Sequence, residues 1–292
     1  MKKIGFLGYG EAGQAMAKSL LEKTEDLSIF AFDIAWDAQK AANHSAVTGS
    51  KEAKEFTCSV DVIISVVTAD QSIRAAESIA PFLSKGQYFI DGNSVSPGTK
   101  RATADIIHKA GAIYIDMAIM APILPAGHQT AILLAGAQSE AIRGFFSELG
   151  FNHDWEGEEI GSASVVKMLR SVLIKGVESL ICESMAAAEG LGLSQRILTS
   201  AGKTLGIDNM VGLADYVMER VAVHGRRRSA EMAEVAKTLQ ELGLSNDMAA
   251  GCATHQGRIA DMNIGEAFDE GVPQDHLVLS ALIRARQLDG QK

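Results

Sequence analysis

Apolar and polar positions follow one pattern up to about residue 150 and another after it. In the first part, short and nearly continuous apolar runs recur: KIGFLGY, LSIFAFD, DVIISVVT, GQYFIDGN, GAIYIDMAIM and TAILLAG. Unbroken apolar runs of this length predict strands covered on both faces. Stretches with helical spacing lie between them, the first from Gly13 to Lys23. Strands separated by helices predict right-handed crossovers and a parallel sheet of six strands. The connection APILPAGHQ before the last run holds two of the five prolines and reads as a stiff, partly extended loop. After residue 160 strand-like runs vanish. Helical spacing dominates, with helix ends expected at GLG (190–192) and ELGL (241–244). Two domains are predicted, an α/β domain over 1–158 and an all-α domain over 159–292, divided in the polar segment WEGEEIGS.

The first apolar run ends in GYGEAG, where Gly8, Gly10 and Gly13 fit G-x-G-x-x-G. A strand precedes the motif and a helix follows. In that setting the first glycine allows the tight turn, the second lets a pyrophosphate approach the backbone, and the third lets helix and strand pack closely. The free N–H groups and positive dipole end of the helix would meet the phosphates. The N-terminal domain therefore reads as a Rossmann-type dinucleotide site, with Gly8, Tyr9, Gly10, Glu11, Ala12 and Gly13 lining it. Asp33 closes the second run, and a carboxylate there accepts hydrogen bonds from the adenine ribose and repels a 2′-phosphate. The following residues, IAWDAQK, hold no arginine, so NAD is expected over NADP, with NADP possible. Asp33 could equally cap the next helix. Val67 and Thr68, at the end of DVIISVVT, are expected near the nicotinamide ribose, or Thr68 serves as a strand-terminal cap.

The stretch GSASVVKMLRSVLIKG opens the helical half. Lys167, Arg170, Ser171 and Lys175 interrupt its apolar residues at intervals of three and four, which puts them on one helical face. Oxidising an alcohol with a dinucleotide needs a group that accepts the hydroxyl proton. A lysine among apolar neighbours suits that task, because desolvation and nearby cations lower its pKa towards neutrality. The competing reading is a lysine that reaches out of an amphipathic helix into solvent. Lys175 reads as an ion-pair partner, with Glu178 the expected acid. HGRRR (224–228) is the one cationic cluster; Arg227 could clamp a substrate carboxylate, or pair on the surface with Glu219, Glu231 or Glu234. His128, in the proline-containing loop, is expected to be a hydrogen-bonded loop histidine.

Composition narrows the partners. The chain has 292 residues, 47% hydrophobic and 22% charged, with a net charge of −9. That balance excludes nucleic acid as the main partner. No apolar run approaches the roughly 20 residues of a membrane span. MKKIGFLGYG runs from two lysines straight into glycines, without the apolar core of a leader. Three widely spaced cysteines, Cys58, Cys182 and Cys252, suggest reduced core residues, no metal site and a cytoplasmic protein.

With these residues in view, the chain resembles the β-hydroxyacid dehydrogenases, the group of 3-hydroxyisobutyrate and 6-phosphogluconate dehydrogenases. GFLGYGEAG matches the cofactor loop, and DGNSVSPGT (91–99) resembles the substrate loop. GAIYIDMAIMAPILPAGHQTAILLAG occupies the next strand–loop–strand, and GSASVVKMLRS resembles the start of the catalytic helix. The resemblance implies hydride transfer between NAD(P) and a small 3-hydroxy acid or sugar acid, with Lys167 as general acid/base and Ser171 at the position of the family's catalytic asparagine. Ser171 could instead bond its own helix backbone. It further implies Asn93, Ser94 and Ser96 as substrate contacts, and a homodimer built by the helical domain. Arg170, one turn on from Lys167, and Arg227 are candidate substrate contacts by their charge and position. Asn93, Ser94 and Ser96 also fit a turn with an N-cap. The chain departs from the pattern at Met120–Ala121–Pro122, where the family has a Gly-Gly loop. It departs again at Ala163, at Ser171, and at Ala230 and Glu231, where a Lys-Asp pair is expected. Two alternatives use the same frame: an imine reductase, which generally lacks the lysine, and a non-catalytic NAD(P)-binding sensor.

Overall fold

The structure, a computed structural model, describes residues 3–35 and 46–289. The chain divides into two compact units, Met1–Met168 and Leu169–Lys292. The first unit is built on one sheet. Its strands are β1 (Lys3–Leu7), β2 (Ser28–Phe32), β3 (Val47–Ser50), β4 (Val62–Ser65), β5 (Tyr88–Asp91), β6 (Ile113–Ile119), β7 (Ile132–Gly136) and β8 (His153–Trp155), in the order β3-β2-β1-β4-β5-β6-β7-β8. Burial of both sheet faces explains the continuous apolar runs. Ile4 and Phe6 of β1, Val62 and Ile64 of β4, and Ile115 and Met117 of β6 enter the core on one face. Leu7, Ile63 and Tyr114 enter the core on the other. Helices α1 (Glu11–Lys23) and α5 (Glu140–Glu148) cover the first face through Met16, Leu20, Ile142 and Phe146. Helices α2 (Ala53–Cys58), α3 (Ser72–Ile79) and α4 (Pro97–Lys109) cover the second through Phe56, Ile79 and Ile107.

The chain runs outward from β1 to β3, then returns to β4 and runs the other way. The strand order therefore reverses between β1 and β4, where ligands bind in sheets of this kind.

Two expectations need correction. The sheet has eight strands among the described residues, where six are expected. The additional two, VTGS and HDW, are short and polar edge strands, so neither produces an apolar run. The sheet is also not wholly parallel: β6 and β7 pair antiparallel, Met117 opposite Leu134. The loop between them holds only a single 3-10 turn, Gly127–Gln129, and no helix to carry the chain back across the sheet.

The second unit is helical: α6 (Ser162–Glu189), which begins in the first unit, α7 (Ser194–Leu205), α8 (Met210–Glu241), α9 (Asp247–Asp261) and α10 (His276–Asp289). The ends near 190 and 242 fall where the glycines place them, with Gly192 and Gly243 at positive φ. The core joins Cys182 and Met185 to Met218, Val221, Ile259 and Leu279. Helix α6 buries part of its polar face and exposes part of its apolar one. Ser171, Lys175, Glu178 and Ser179 are buried, whereas Leu169, Leu173, Val177 and Leu180 are exposed. Ion pairs to α8, described below, draw the polar face inward. The cysteines also divide: Cys182 and Cys252 are buried, but Cys58 is exposed at the end of α2 and is not a core residue.

Candidate active site

Local backbone forces shape the loop between β1 and α1. Gly8 has φ +89, and a Cβ there would stand 2.7 Å from Val67 Cγ1 and 2.9 Å from the carbonyl oxygen of Val66. Both the dihedral and the space demand glycine. A Cβ on Gly13 would stand 2.6 Å from the carbonyl oxygen of Gly8, so helix and loop approach as closely as a dinucleotide fingerprint requires. Gly10 has nothing within 4 Å of its Cβ position and caps α1 with no side-chain hydrogen bond. The first turn of α1 thus presents its backbone, and the positive end of its dipole, to an open approach. These features fit a pyrophosphate. Glu11 is exposed, Ala12 half-buried, and Tyr9 fully buried, with its phenol pushed up to about 12 by burial.

Asp33 lies one residue beyond β2. Its Oδ2 accepts from the Tyr9 N–H at 2.6 Å and its Oδ1 from the Ala35 N–H at 2.7 Å. The carboxylate therefore braces the glycine loop and turns the chain, beside the place an adenine ribose would take. Trp36 to Lys40, the rest of the segment without arginine, lie outside the described residues. The strand expected to run to Thr68 stops at Ser65, because the chain leaves the sheet there. Val67 is half-buried against Gly8, and Thr68 is exposed at the start of a 3-10 turn.

The loop after β5 is the most densely bonded part of the site. Asn93 is buried, and its Oδ1 accepts from the Val67 N–H at 2.7 Å. Its Nδ2 donates to Ser65 Oγ at 3.0 Å and Ser72 Oγ at 3.2 Å. The amide expected to contact substrate thus ties the loop after β5 to the loop after β4. Ser96, fully buried, accepts from the Thr99 N–H as the N-cap of α4, with Pro97 at the first helical position. Ser94 between them remains half-buried, and Lys167 Nζ donates to its Oγ at 2.5 Å. The structure therefore joins the expected substrate loop to the expected proton carrier. Arg170 is exposed and Ser171 is buried one turn further along α6.

A group that the sequence reading missed lies beneath this loop. Lys100, Asp91 and Asp116 are fully buried. Lys100 Nζ lies 3.1 Å from Asp91 Oδ1 and 3.2 Å from Asp116 Oδ1, and donates to the Asp91 carbonyl at 2.5 Å. Tyr114 donates to Asp91 Oδ2 at 2.7 Å, and burial beside the two carboxylates pushes its phenol well above 10, so it stays a neutral donor. The signal was present: Lys100 shares a helical stripe with Thr103, Ala104 and Ile107, and two acids punctuate apolar strands.

His128 behaves as a loop histidine. It is fully buried, its Nδ1 lies 2.7 Å from Ser19 Oγ, and its ring meets Phe151 edge-on. Burial, reinforced by Lys23, lowers its pKa below 6.5. Below pH 6.5 the unfolded chain binds a proton that the folded chain refuses, so this contribution to stability is present above 6.5 and lost on acidification. Urea midpoints at pH 7.5 and 5.5 should fall less steeply in His128→Gln than in the wild-type protein. Equal slopes would sink the assignment.

In the second unit, Lys175 pairs with Glu231, not with the expected Glu178, which pairs with Arg228. Glu178 shares a helix with Lys175, but α8 supplies partners that are better placed. Arg227 reaches Glu231 at 3.7 Å with its side chain 52% exposed. Burial lowers the Lys175 pKa, opposed by Glu231 and aided by Arg228 and Arg227. Asp215, Asp275 and His276 come close enough to hold a metal. Asp215 Oδ1, however, accepts from His276 N at 2.8 Å and lies 2.6 Å from His276 Nδ1, while Asp275 caps the first turn of α10. Among the described residues, no helix is long and apolar enough to cross a membrane.

Comparison with known proteins agrees with this geometry. The family profile of the NAD binding domain of 6-phosphogluconate dehydrogenase matches residues 3–150, and a domain of unknown function matches 188–259. A conserved hypothetical protein of Sinorhizobium meliloti is similar in structure, at 32% identity and TM-score 0.73, covering 98% of this chain and 97% of that one. Human mitochondrial 3-hydroxyisobutyrate dehydrogenase is 24% identical over 262 residues, 84% of this chain and 75% of the human protein. An imine reductase from Aspergillus terreus shares the fold at TM-score 0.56 and 17% identity, over 88% of this chain and 93% of that one. The chain has an NAD-binding domain and belongs to the 6-phosphogluconate dehydrogenase-like β-hydroxyacid dehydrogenase family, as a divergent member.

Proposed function

We propose that the protein is an NAD-dependent dehydrogenase that oxidises the hydroxyl carbon of a small 3-hydroxy acid or sugar acid, and reduces the product in the reverse direction. The observation that carries this reading is the Lys167 Nζ to Ser94 Oγ hydrogen bond, which joins a lysine to the loop at the carboxyl end of β5. Bound NAD⁺ supplies the acceptor for the hydride. Neutral Lys167 takes the hydroxyl proton at Nζ, and the resulting ammonium returns it during reduction. Ser94 holds the Nζ in place and offers its hydroxyl to the substrate. Family membership supports the reaction class. NAD⁺ reduction across a panel of 3-hydroxy acids and sugar acids, with NADP⁺ in parallel and cyclic imines with NADH as the reverse test, decides it. Turnover of imines alone would overturn the reading in favour of an imine reductase, and binding of NAD⁺ without any turnover would favour a sensor.

Asp33 supports NAD over NADP, because its carboxylate would stand against a 2′-phosphate. Asp33→Ala should weaken NAD⁺ binding and bring the NAD⁺/NADP⁺ ratio of kcat/KM towards one. An unchanged ratio would remove Asp33 from cofactor choice.

Helix α6 supports a homodimer. Val166, Leu169, Leu173, Val177 and Leu180 lie exposed at helical spacing along α6, a continuous apolar stripe of the kind a second copy covers. Light scattering should give twice the chain mass, and Leu173→Glu should lower it to one. A wild-type monomer at micromolar concentration contradicts the proposal.

A further inference from the structure

We propose that Lys100, Asp91, Asp116 and Ser164 form a positioning device that sets the Lys167–Ser94 contact from below. The inference rests on the reading of Lys167 as proton carrier and concerns what holds that lysine in place. Both ends of the contact lead to one ammonium group. From Ser94, the chain passes to Asn93, whose N–H donates to Asp91 Oδ1 at 2.9 Å, and Asp91 Oδ1 lies 3.1 Å from Lys100 Nζ. From Lys167, one helical turn back, Ser164 donates its backbone N–H to Asp116 Oδ2 at 3.1 Å and its hydroxyl to Asp116 Oδ1 at 2.8 Å. Asp116 Oδ1 lies 3.2 Å from the same Nζ. Asp116 therefore acts on the first turn of α6 as the acceptor for the Ser164 N–H, one of its free backbone donors.

The construction is suited to precision. All three charges are fully buried, and each carboxylate is met by further donors, Tyr114 on Asp91 and Ser164 on Asp116. A buried charge cluster of this kind adds little net stability over an apolar replacement, yet it tolerates only one geometry. Its members sit on four elements: Lys100 on α4, Asp91 on β5, Asp116 on β6 and Ser164 at the start of α6. Misplacing a proton carrier by about 1 Å costs up to about 10²-fold in rate, which is the reason a site gains from such rigidity.

Removing Lys100 would leave two buried carboxylates facing each other, so the test uses gentler variants. Ser164→Ala removes one of the two bonds to Asp116, Ser164→Thr restores a hydroxyl, and Asp116→Asn keeps shape while removing charge. The first readout is the reactivity of the Lys167 amine towards acetic anhydride as a function of pH, followed by peptide mass spectrometry, which needs no turnover. The second is the pH profile of kcat, with unfolding midpoints as the check on folding. In Ser164→Ala and Asp116→Asn the Lys167 labelling curve should move along the pH axis and kcat should fall by about tenfold. Ser164→Thr should recover both. Labelling curves that superimpose on the wild type in folded variants overturn the positioning role. A moved labelling curve with unchanged kcat upholds the positioning role and instead overturns Lys167 as proton carrier.

Discussion

Lys167→Ala is expected to lower kcat by about 10²–10⁴-fold while leaving NAD⁺ affinity within about twofold, since a positioned acid/base contributes on that scale. The two parts of the expectation have separate origins. In the proposed reaction the proton must leave the substrate hydroxyl, and Lys167 Nζ donates to Ser94 in the loop after β5. In the proposed reading the dinucleotide rests on the glycine loop and on Asp33, which accepts from the Tyr9 and Ala35 N–H groups. Steady-state turnover with the best substrate of the panel, together with NAD⁺ titration by calorimetry, checks both. More than a tenth of wild-type kcat would remove Lys167 from the acid/base role. A lost NAD⁺ affinity with normal kcat would place the lysine in cofactor binding instead.

Arg228→Met is expected to destabilise the helical unit by about 3–5 kcal/mol, the scale on which an uncompensated buried charge acts. Arg228 and Glu178 are 6% and 4% exposed, and the arginine is the partner the carboxylate finds across the helix pair. Methionine fills much of the volume, so the loss reports the stranded Glu178 rather than a cavity. Combining it with Glu178→Met removes both charges and should return most of the lost stability. Urea unfolding of the single and double variants measures the difference. A single variant within about 1 kcal/mol of wild type, or a double variant no better than the single, contradicts the buried pair as a linked unit.

The sequence was informative where a local rule is strict. Gly8 and Gly13 are readable because only a residue without Cβ fits a positive φ or a 2.6 Å approach. The main strands are readable because both faces are covered, and the helix ends because glycine takes the left-handed conformation that closes a helix. VTGS and HDW were not readable, because an edge strand is held by its neighbour's backbone rather than by its own apolar side chains.

Polar partners show the same division. The spacing of Lys167, Arg170, Ser171 and Lys175 placed them on one face of α6, where Ser171 and Lys175 are buried and Arg170 is exposed. The spacing could not say which part of this face turns inward, that Lys175 belongs to Glu231, or that Glu178 belongs to Arg228. Nor could it say that Asn93 and Ser96 brace the loop while Ser94 meets Lys167.

By itself, then, the sequence determined the glycine loop, the strand-and-helix alternation and the change to helices after residue 160. These depend on residues near one another in the chain, through backbone sterics and helical or strand period. Only the tertiary structure decided which charges are buried and with whom. Lys100 meets Asp91 and Asp116 from 9 and 16 positions away, on different elements. A charge enters the interior only where folding brings opposite charge and hydrogen-bond donors to it, and that meeting has no period along the chain.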